Sequence, residues 1–195
     1  MKTKLIVLVS VLLISHAVMA QFHIGIRAGT NLTKVEGQSF KQEFQYGYLL
    51  GGFAEIGLGN KFFLQPEVLF NQYTTTLDSN YHHIYEGVFN ASYQGKVKLN
   101  YLTIPLILNY KLLGPISIQA GPQYGILIDQ NKTLLQNGKQ AFKTGDLSLL
   151  AGVQVKVAML RVTGRYIVGL NNINDIDSRD KWRNENIQLS VGLAF

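Results

Sequence analysis

The most constraining feature of this sequence is its last stretch, residues 187–195, where apolar side chains alternate strictly with small or polar ones. The apolar set is Ile187, Leu189, Val191, Leu193 and Phe195. Successive side chains on a β-strand point to opposite faces, so this stretch predicts a strand with one apolar face. A soluble domain gains little from ending on an exposed Phe195. A closed barrel, whose last strand pairs with its first, has a use for such an ending.

The same alternation recurs along the chain and predicts seven further strands. They cover residues 22–32, 46–58, 62–73, 97–110, 116–128, 147–156 and 160–170. Their connections are alternately long and short, as in an antiparallel meander in which both termini lie at the short-turn end. We therefore predict an all-β fold, an eight-stranded antiparallel up-and-down barrel.

Three prolines, Pro66, Pro105 and Pro122, fall inside predicted strands. Proline cannot donate a hydrogen bond to a neighbouring strand, so each position requires a bulge or a locally missing bond. Alternation continues on both sides of each proline, and we keep all three segments as strands.

The positions of the charged residues indicate which face of the barrel is outside. All eleven lysines after residue 20 fall in predicted loops or at strand ends, and charged residues make up only 15% of the chain, against about 25% in soluble domains. The charges within strands lie on the polar face. They are Arg27, Glu55, Glu67, Arg161 and Arg165. This distribution predicts a transmembrane barrel with a lipid-facing apolar exterior and a polar lumen. A soluble periplasmic barrel that holds an apolar ligand is the competing interpretation.

We expect these five charged residues to form a connected network inside the lumen. Isolated charge in a confined space is unfavourable, so the arginines should be neutralised by bidentate contacts with the glutamates. The alternative is that each charge lies near a mouth of the barrel and is hydrated. About eight strands leave an interior that side chains can fill, which argues against a general diffusion pore.

Aromatic residues cluster near the predicted strand ends, and we interpret them as two girdles at the membrane interfaces. The turn-side group is Phe22, Phe62, Phe63, Tyr110 and Phe195, and the loop-side group is Tyr46, Tyr48, Phe70, Tyr73 and Tyr101. Ordinary enrichment of Tyr and Phe in β-sheets is the simpler alternative.

The amino terminus has the pattern of a secretory signal peptide. Lys2 and Lys4 precede an apolar run at residues 5–13, and small residues lead up to Ala20. The run is too short for a membrane-spanning helix, so we expect cleavage between Ala20 and Gln21. The domains are then a signal peptide, residues 1–20, and a barrel, residues 21–195. Without Lys2 and Lys4, the chain has 16 basic and 12 acidic residues and a formal charge of +4. No basic cluster of the kind that binds nucleic acid is present.

Catalytic and metal-binding chemistry have little support, and we expect no catalytic residue, metal or cofactor. His82 and His83 lie near Asp78 and could form a rim active site, but their spacing matches no motif. His23 is expected deep on a polar strand face. Three aspartates could suggest a calcium loop but lack its glycine and distal glutamate. They are Asp175, Asp177 and Asp180.

Several stretches together resemble the PorT-like outer-membrane β-barrel family of Gram-negative bacteria. They are GIRAGTNL at 25–32, GFAEIGLGNKFFLQPEVLF at 52–70, YLTIPLILNY at 101–110, AGPQYG at 120–125, RYIVGLNNI at 165–173 and the closing VGLAF. The resemblance implies a small eight-stranded barrel without catalytic residues. It also raises a secretion-related role, although the shared motifs are strand and turn elements only. The final Phe195 resembles the terminal assembly signal of outer-membrane barrels, which implies that the barrel assembly machinery engages the last strand.

The sequence therefore predicts an integral outer-membrane protein surrounded by lipid. We expect it to act without catalysis, as a structural or interaction component of the cell envelope. The partner would contact the long loops.

Overall fold

The computed structural model describes residues 22–36, 44–76, 96–130, 145–173 and 183–195, which form eight strands. These are β1 (Phe22–Glu36), β2 (Gln45–Leu58), β3 (Phe62–Thr76), β4 (Lys96–Leu113), β5 (Ile116–Gln130), β6 (Gly145–Val157), β7 (Leu160–Gly169) and β8 (Arg183–Ala194). A helix with the length and hydrophobicity of a membrane span is absent from the described ranges. All eight predicted strands are present, and most extend further toward the long loops than the alternation indicated.

The eight strands close into a barrel. Each strand pairs antiparallel with the next, and β8 pairs with β1 to complete the cycle. At the seam, the Phe195 amide donates to the Ile24 carbonyl at 2.7 Å, and the Ile24 amide donates to the Phe195 carbonyl at 3.2 Å. The predicted fold class is confirmed.

Three tight turns lie at one end of the barrel, which we call the short-turn end. Gly59 and Gly114 have positive φ values of 89° and 52°, a region that glycine enters without steric penalty. Ala158 occupies the same region in the third turn, with a φ of 51°. Its carbonyl accepts a 2.7 Å hydrogen bond from Arg161 Nη1, which ties this turn to the lumen. We call the opposite end the loop end.

The prolines interrupt the ladder without changing its register. Between β4 and β5, pairing runs from Pro105 with Gln123 to Leu108 with Ala120, and the two intervening pairs, including the one at Pro122, are missing. The β2–β3 ladder has the same gap at Pro66, and the β3–β4 ladder has it at Pro105. Proline removes the donor but leaves the strand extended. The prediction of a locally missing bond is confirmed, and no bulge forms at these positions.

The two faces of the sheet differ sharply. Large apolar side chains point outward and are substantially exposed, for example Ile26, Val68 and Val191 at 59%, 52% and 50%. Arginine, glutamate, glutamine, asparagine and threonine side chains point inward and are buried. The predicted apolar exterior and polar interior are confirmed. A lumen lined with these groups does not fit an apolar ligand.

Two members of the predicted loop-side girdle are placed differently. Tyr73 and Tyr101 are only 3% and 0% exposed, and their rings lie inside the lumen with centroids 5.2 Å apart. Both have the parity of inward neighbours, Asn71 and Thr103. The girdle prediction grouped residues by height along the strands, whereas strand parity decides which face a side chain occupies. Phe63 of the turn-side group has the parity of the buried Gln65 and also faces the lumen. Phe22, Phe62, Tyr46 and Tyr48 are exposed as expected.

Candidate functional site in the barrel lumen

The centre of the lumen is occupied by a buried pair, Arg165 of β7 and Glu67 of β3. Arg165 Nη1 lies 2.7 Å from Glu67 Oε2, and Nη2 lies 2.7 Å from Oε1. Both side chains are fully buried. Gln65 and Gln119 complete the set, with Gln65 Nε2 donating to Glu67 at 2.7 Å and Arg165 Nε donating to Gln119 at 2.9 Å. The parallel two-bond geometry is the strongest form of an arginine–carboxylate contact.

Arg27 of β1 joins this pair from the side. Its Nη2 lies 3.5 Å from Glu67 Oε1 and donates to Gln154 at 3.2 Å, and its Nη1 donates to Ser190 at 3.1 Å. The guanidinium carbon also lies 5.1 Å from the centre of the Phe53 ring. Two guanidinium groups therefore surround the single carboxylate of Glu67, and Arg27 gains its remaining contacts from neutral groups.

A second charged cluster lies nearer the short-turn end and centres on Glu55. Arg161 donates to it from Nε at 3.0 Å and from Nη2 at 3.2 Å, and Lys156 Nζ lies 3.1 Å from Glu55 Oε2. The Lys156 ammonium group also lies 3.4 Å from the centre of the Phe63 ring, a cation–π contact. Lys156 was predicted only to lie at a strand end, and its place in this cluster was not predicted. Its parity with the buried Gln154 could have identified it as inward-pointing.

Gln154 connects the two clusters. Its Oε1 accepts from Arg27, and its Nε2 donates to Glu55 Oε1 at 3.3 Å. Gln154 Oε1 also accepts hydrogen bonds from Gln119 and Thr163. The structure thus brings the five charged residues chosen from the sequence into a single network, through a glutamine that the sequence analysis did not single out.

Toward the loop end, the lumen is lined largely by amides and hydroxyls, together with one buried carboxyl group, that of Asp146, which accepts a 2.8 Å hydrogen bond from Asn184 Nδ2. Asn31 Nδ2 donates to Asn71 at 3.0 Å, Asn71 Nδ2 donates to Thr103 at 2.6 Å, and Gln188 Nε2 donates to Asn31 at 3.2 Å. All four side chains are buried. The arginine–glutamate network in the middle of the barrel is therefore separated from the loop end by a layer made largely of amides and hydroxyls.

Glycines on the inward face make room for one large ring. A Cβ on Gly25 would collide with Phe53, and a Cβ on Gly192 would lie 2.9 Å from Phe53 Cε1. Phe53 is 5% exposed and packs against Arg27. Gly25 and Gly192 therefore leave room for the Phe53 ring inside the narrow barrel.

These contacts between inward side chains block the lumen. Arg27, Glu67 and Gln154 are 0–1% exposed, so solvent reaches the middle of the barrel from neither end. Each carboxylate of the network is held by a guanidinium group. Within the described residues, histidines and acidic residues form no metal-binding cluster.

The remaining candidate residues lie elsewhere. His23 is exposed and lines the mouth at the short-turn end, so its prediction as a deep residue is wrong. It lies near the start of β1, where the barrel opens to solvent. The other candidates fall outside the described residues. They are Ala20, Gln21, Asp78, His82, His83, Asp175, Asp177 and Asp180.

Comparison with known proteins identifies the type of barrel. The family model described as the outer membrane protein β-barrel domain matches residues 16–175. No curated protein sequence matches the chain. Neisserial surface protein A has a similar solved structure, with 14% identity, coverage of 89% of this chain and 97% of its own, and a TM-score of 0.52. Ail, the attachment invasion locus protein of Yersinia pestis, has 12% identity, coverage of 90% and 99%, and a TM-score of 0.53. At these identities, the likeness establishes a shared fold.

Proposed function

This chain belongs to the outer membrane protein β-barrel domain family, and from that premise we propose that it acts without catalysis, through its extracellular loops. It is an integral outer-membrane protein, so the soluble periplasmic barrel is wrong as an interpretation. The membership is broader than the PorT-like group that the sequence resembles. Assignment to that group, and the secretion-related role that it raises, stay predictions.

The observation that carries this proposal is the blocked lumen. The contacts of Glu67 with Arg165 and Arg27 extend across the middle of the barrel, and all three side chains are 0–3% exposed. A solute crossing the barrel would have to separate buried charges, which is strongly unfavourable. Transport through the lumen is therefore a poor candidate for the function.

The connections between strands are better candidates for the functional part of the molecule than the lumen is. Three turns at the short-turn end join strands that are almost contiguous, whereas the four connections at the loop end are long. The longest joins β3, which ends at Thr76, to β4, which begins at Lys96. In outer-membrane barrels the longer loops are extracellular, and loops on a rigid scaffold commonly carry binding residues. We propose that these loops bind an envelope or surface component.

Two further proposals concern biogenesis. Residues 1–20 would be removed on export, with cleavage between Ala20 and Gln21, and the barrel assembly machinery would engage β8 through Phe195. The apolar exterior of the barrel would then be covered by outer-membrane lipid, as in other members of this structural class.

Site-specific crosslinking in whole cells tests the loop proposal. A photoreactive amino acid would replace Tyr85 in the longest loop or Phe44, which is 39% exposed at the loop end beside β2. The matched control is the same amino acid at Asn60, in the β2–β3 turn. We expect a discrete adduct with one component from the loop-end positions and not from Asn60. Adducts that are the same from both ends, or absent at the loop end, would contradict the proposal.

A further inference from the structure

A cavity of about 430 Å³ opens at the short-turn end, just outside the Glu55 cluster. Its volume falls in the range of small-molecule sites, roughly 300 to 1,000 Å³. The inner end is closed by the buried network, in which Gln154 hydrogen-bonds to Glu55. The cavity is therefore blind, and a ligand that enters from the periplasmic side must leave by the same mouth. This geometry suits binding rather than passage.

The lining of this cavity is strongly cationic. Four cations, Lys61, Lys111, Lys156 and Arg161, face one carboxylate, Glu55, which gives a formal charge of +3 with His23 counted as neutral. The four cations come from separate regions of the chain, the β2–β3 turn, β4, β6 and β7. The fold, rather than a basic run in the sequence, therefore concentrates this charge.

Two of these cations have no anionic partner of their own. Arg161 is occupied by Glu55 and by two backbone carbonyls. Neither Lys61 nor Lys111 takes part in an ion pair within residues 22–36, 44–76, 96–130, 145–173 and 183–195. Lys156 shares Glu55 with Arg161. Ammonium groups are compact point charges that suit phosphate, and several of them around one cavity favour a multiply charged anion.

We propose that this cavity binds a phosphate group on the periplasmic side of the outer membrane. The phosphate would belong either to a soluble anion or to the headgroup of a phospholipid in the inner leaflet. Lys61 and Lys111 would supply most of the binding energy, because Glu55 already neutralises part of the charge of Lys156 and Arg161. The ring of Phe63, which lies beside the Lys156 ammonium group, also lines the cavity and would contact an apolar part of the ligand.

Nuclear magnetic resonance of the folded barrel in zwitterionic micelles tests this proposal, with pyrophosphate as the probe. Isotope-labelled dimethyl groups on the lysines keep their charge and report on each ammonium group. At constant ionic strength, we expect saturable shifts for Lys61, Lys111 and Lys156. Lys98, which is exposed in β4 near the loop end, should not respond. Linear shifts shared by all lysines, or no shifts at all, would overturn the proposal.

Substitutions make the test quantitative. Lys61→Gln with Lys111→Gln should weaken pyrophosphate binding by at least about tenfold, which corresponds to about 1.4 kcal/mol, because two charged contacts with the anion are lost. Lys61→Arg with Lys111→Arg should retain most of the affinity, and Lys98→Gln should match the wild type. Gel mobility of the unheated samples verifies that each variant is folded. Equal affinity of the double glutamine variant and the wild type would contradict the proposal.

Nanodiscs distinguish the two sources of phosphate. If phosphatidylglycerol shifts the same lysine signals relative to phosphatidylcholine and weakens pyrophosphate binding, the occupant is a lipid headgroup. If phosphatidylglycerol changes neither the lysine signals nor the affinity for pyrophosphate, and pyrophosphate still binds, the occupant is a soluble anion. Both outcomes support the site, and absence of a response to pyrophosphate and to phosphatidylglycerol rejects it.

Discussion

At the residue scale, the buried charges of the lumen depend on their partners. Glu67 is fully buried, and its carboxylate contacts two arginines and Gln65. Removing one partner of such a group leaves an uncompensated charge without water, which is far more destabilising than losing an exposed ion pair. The position of Phe53 depends on a neighbour for a steric reason, because its ring fits only where Gly192 has no side chain.

Glu67→Gln should strongly destabilise the barrel, because Arg165 and Arg27 would then share no carboxylate. We expect a loss of about 3 to 5 kcal/mol in the free energy of unfolding, measured by urea titration of the folded, gel-shifted species. Arg165→Met should have an effect of similar direction, since it leaves Glu67 with Arg27 alone.

The matched control is Lys34→Gln, which breaks the partly exposed Lys34–Glu185 ion pair at the loop end. The Lys34 and Glu185 side chains are 19% and 15% exposed, so water reaches this pair, and Lys34→Gln should destabilise the barrel less than Glu67→Gln does. If Glu67→Gln and Arg165→Met change stability no more than Lys34→Gln does, the network does not stabilise the barrel.

At the element scale, the pairing of β1 with β8 closes the barrel, and the described ladders lack residue pairs beside the prolines. Twelve residue pairs join β1 to β8, as many as join β1 to β2, so the seam is a full ladder. The gaps at Pro66, Pro105 and Pro122 fall instead within β3, β4 and β5. Because the register is unchanged across each gap, the inward and outward faces of these strands keep their alternation.

Deleting Phe195 should lower the yield of assembled barrel without preventing export. The deletion removes two backbone hydrogen bonds to Ile24 and an aromatic ring that is 62% exposed on the outside. Phe195→Tyr keeps the backbone bonds and an aromatic ring, and it should assemble nearly as well as the wild type. The measurement is the heat-modifiable fraction in outer-membrane preparations, with total exported protein as the reference. A deletion variant that assembles at the wild-type level would rule out this role for Phe195.

At the scale of the whole molecule, the barrel has three layers along its axis. Amides and hydroxyls lie toward the loop end with the buried Asp146, an arginine–glutamate network fills the middle, and a cationic cavity opens at the short-turn end. Eight strands give a lumen that side chains can fill, and the buried network shows that they do. The two ends of the molecule are therefore separate surfaces, with long loops on one side and a compact basic mouth on the other.

Planar-bilayer recordings should show no large, steady conductance for the wild-type monomer. Arg27→Ala is the comparison variant, because it removes one of the largest fully buried side chains yet leaves Glu67 its two-bond contact with Arg165. We expect this variant to conduct small ions measurably more than the wild type does. A steady wild-type conductance of porin size would show that the lumen opens and would contradict a function confined to the barrel surface.

The sequence by itself determined the number of strands, their order and the identity of the outward face. Alternation with a period of two follows from strand geometry, and exclusion of lysine from the strand centres follows from the cost of placing charge in lipid. Both signals are local and can be read along the chain. The same alternation placed Arg27, Glu55, Glu67, Arg161 and Arg165 on the inward face.

Only the tertiary structure decided which inward side chains meet. The register and curvature of the closed sheet bring Gln154 between Arg27 and Glu55, and they place Lys156 over Phe63. They also gather the cations of the short-turn cavity from four regions of the chain. Strand parity fixes the face that a side chain occupies, but contacts across a lumen depend on the relative height of strands far apart in sequence. That height is set by the hydrogen-bond stagger that closes the barrel.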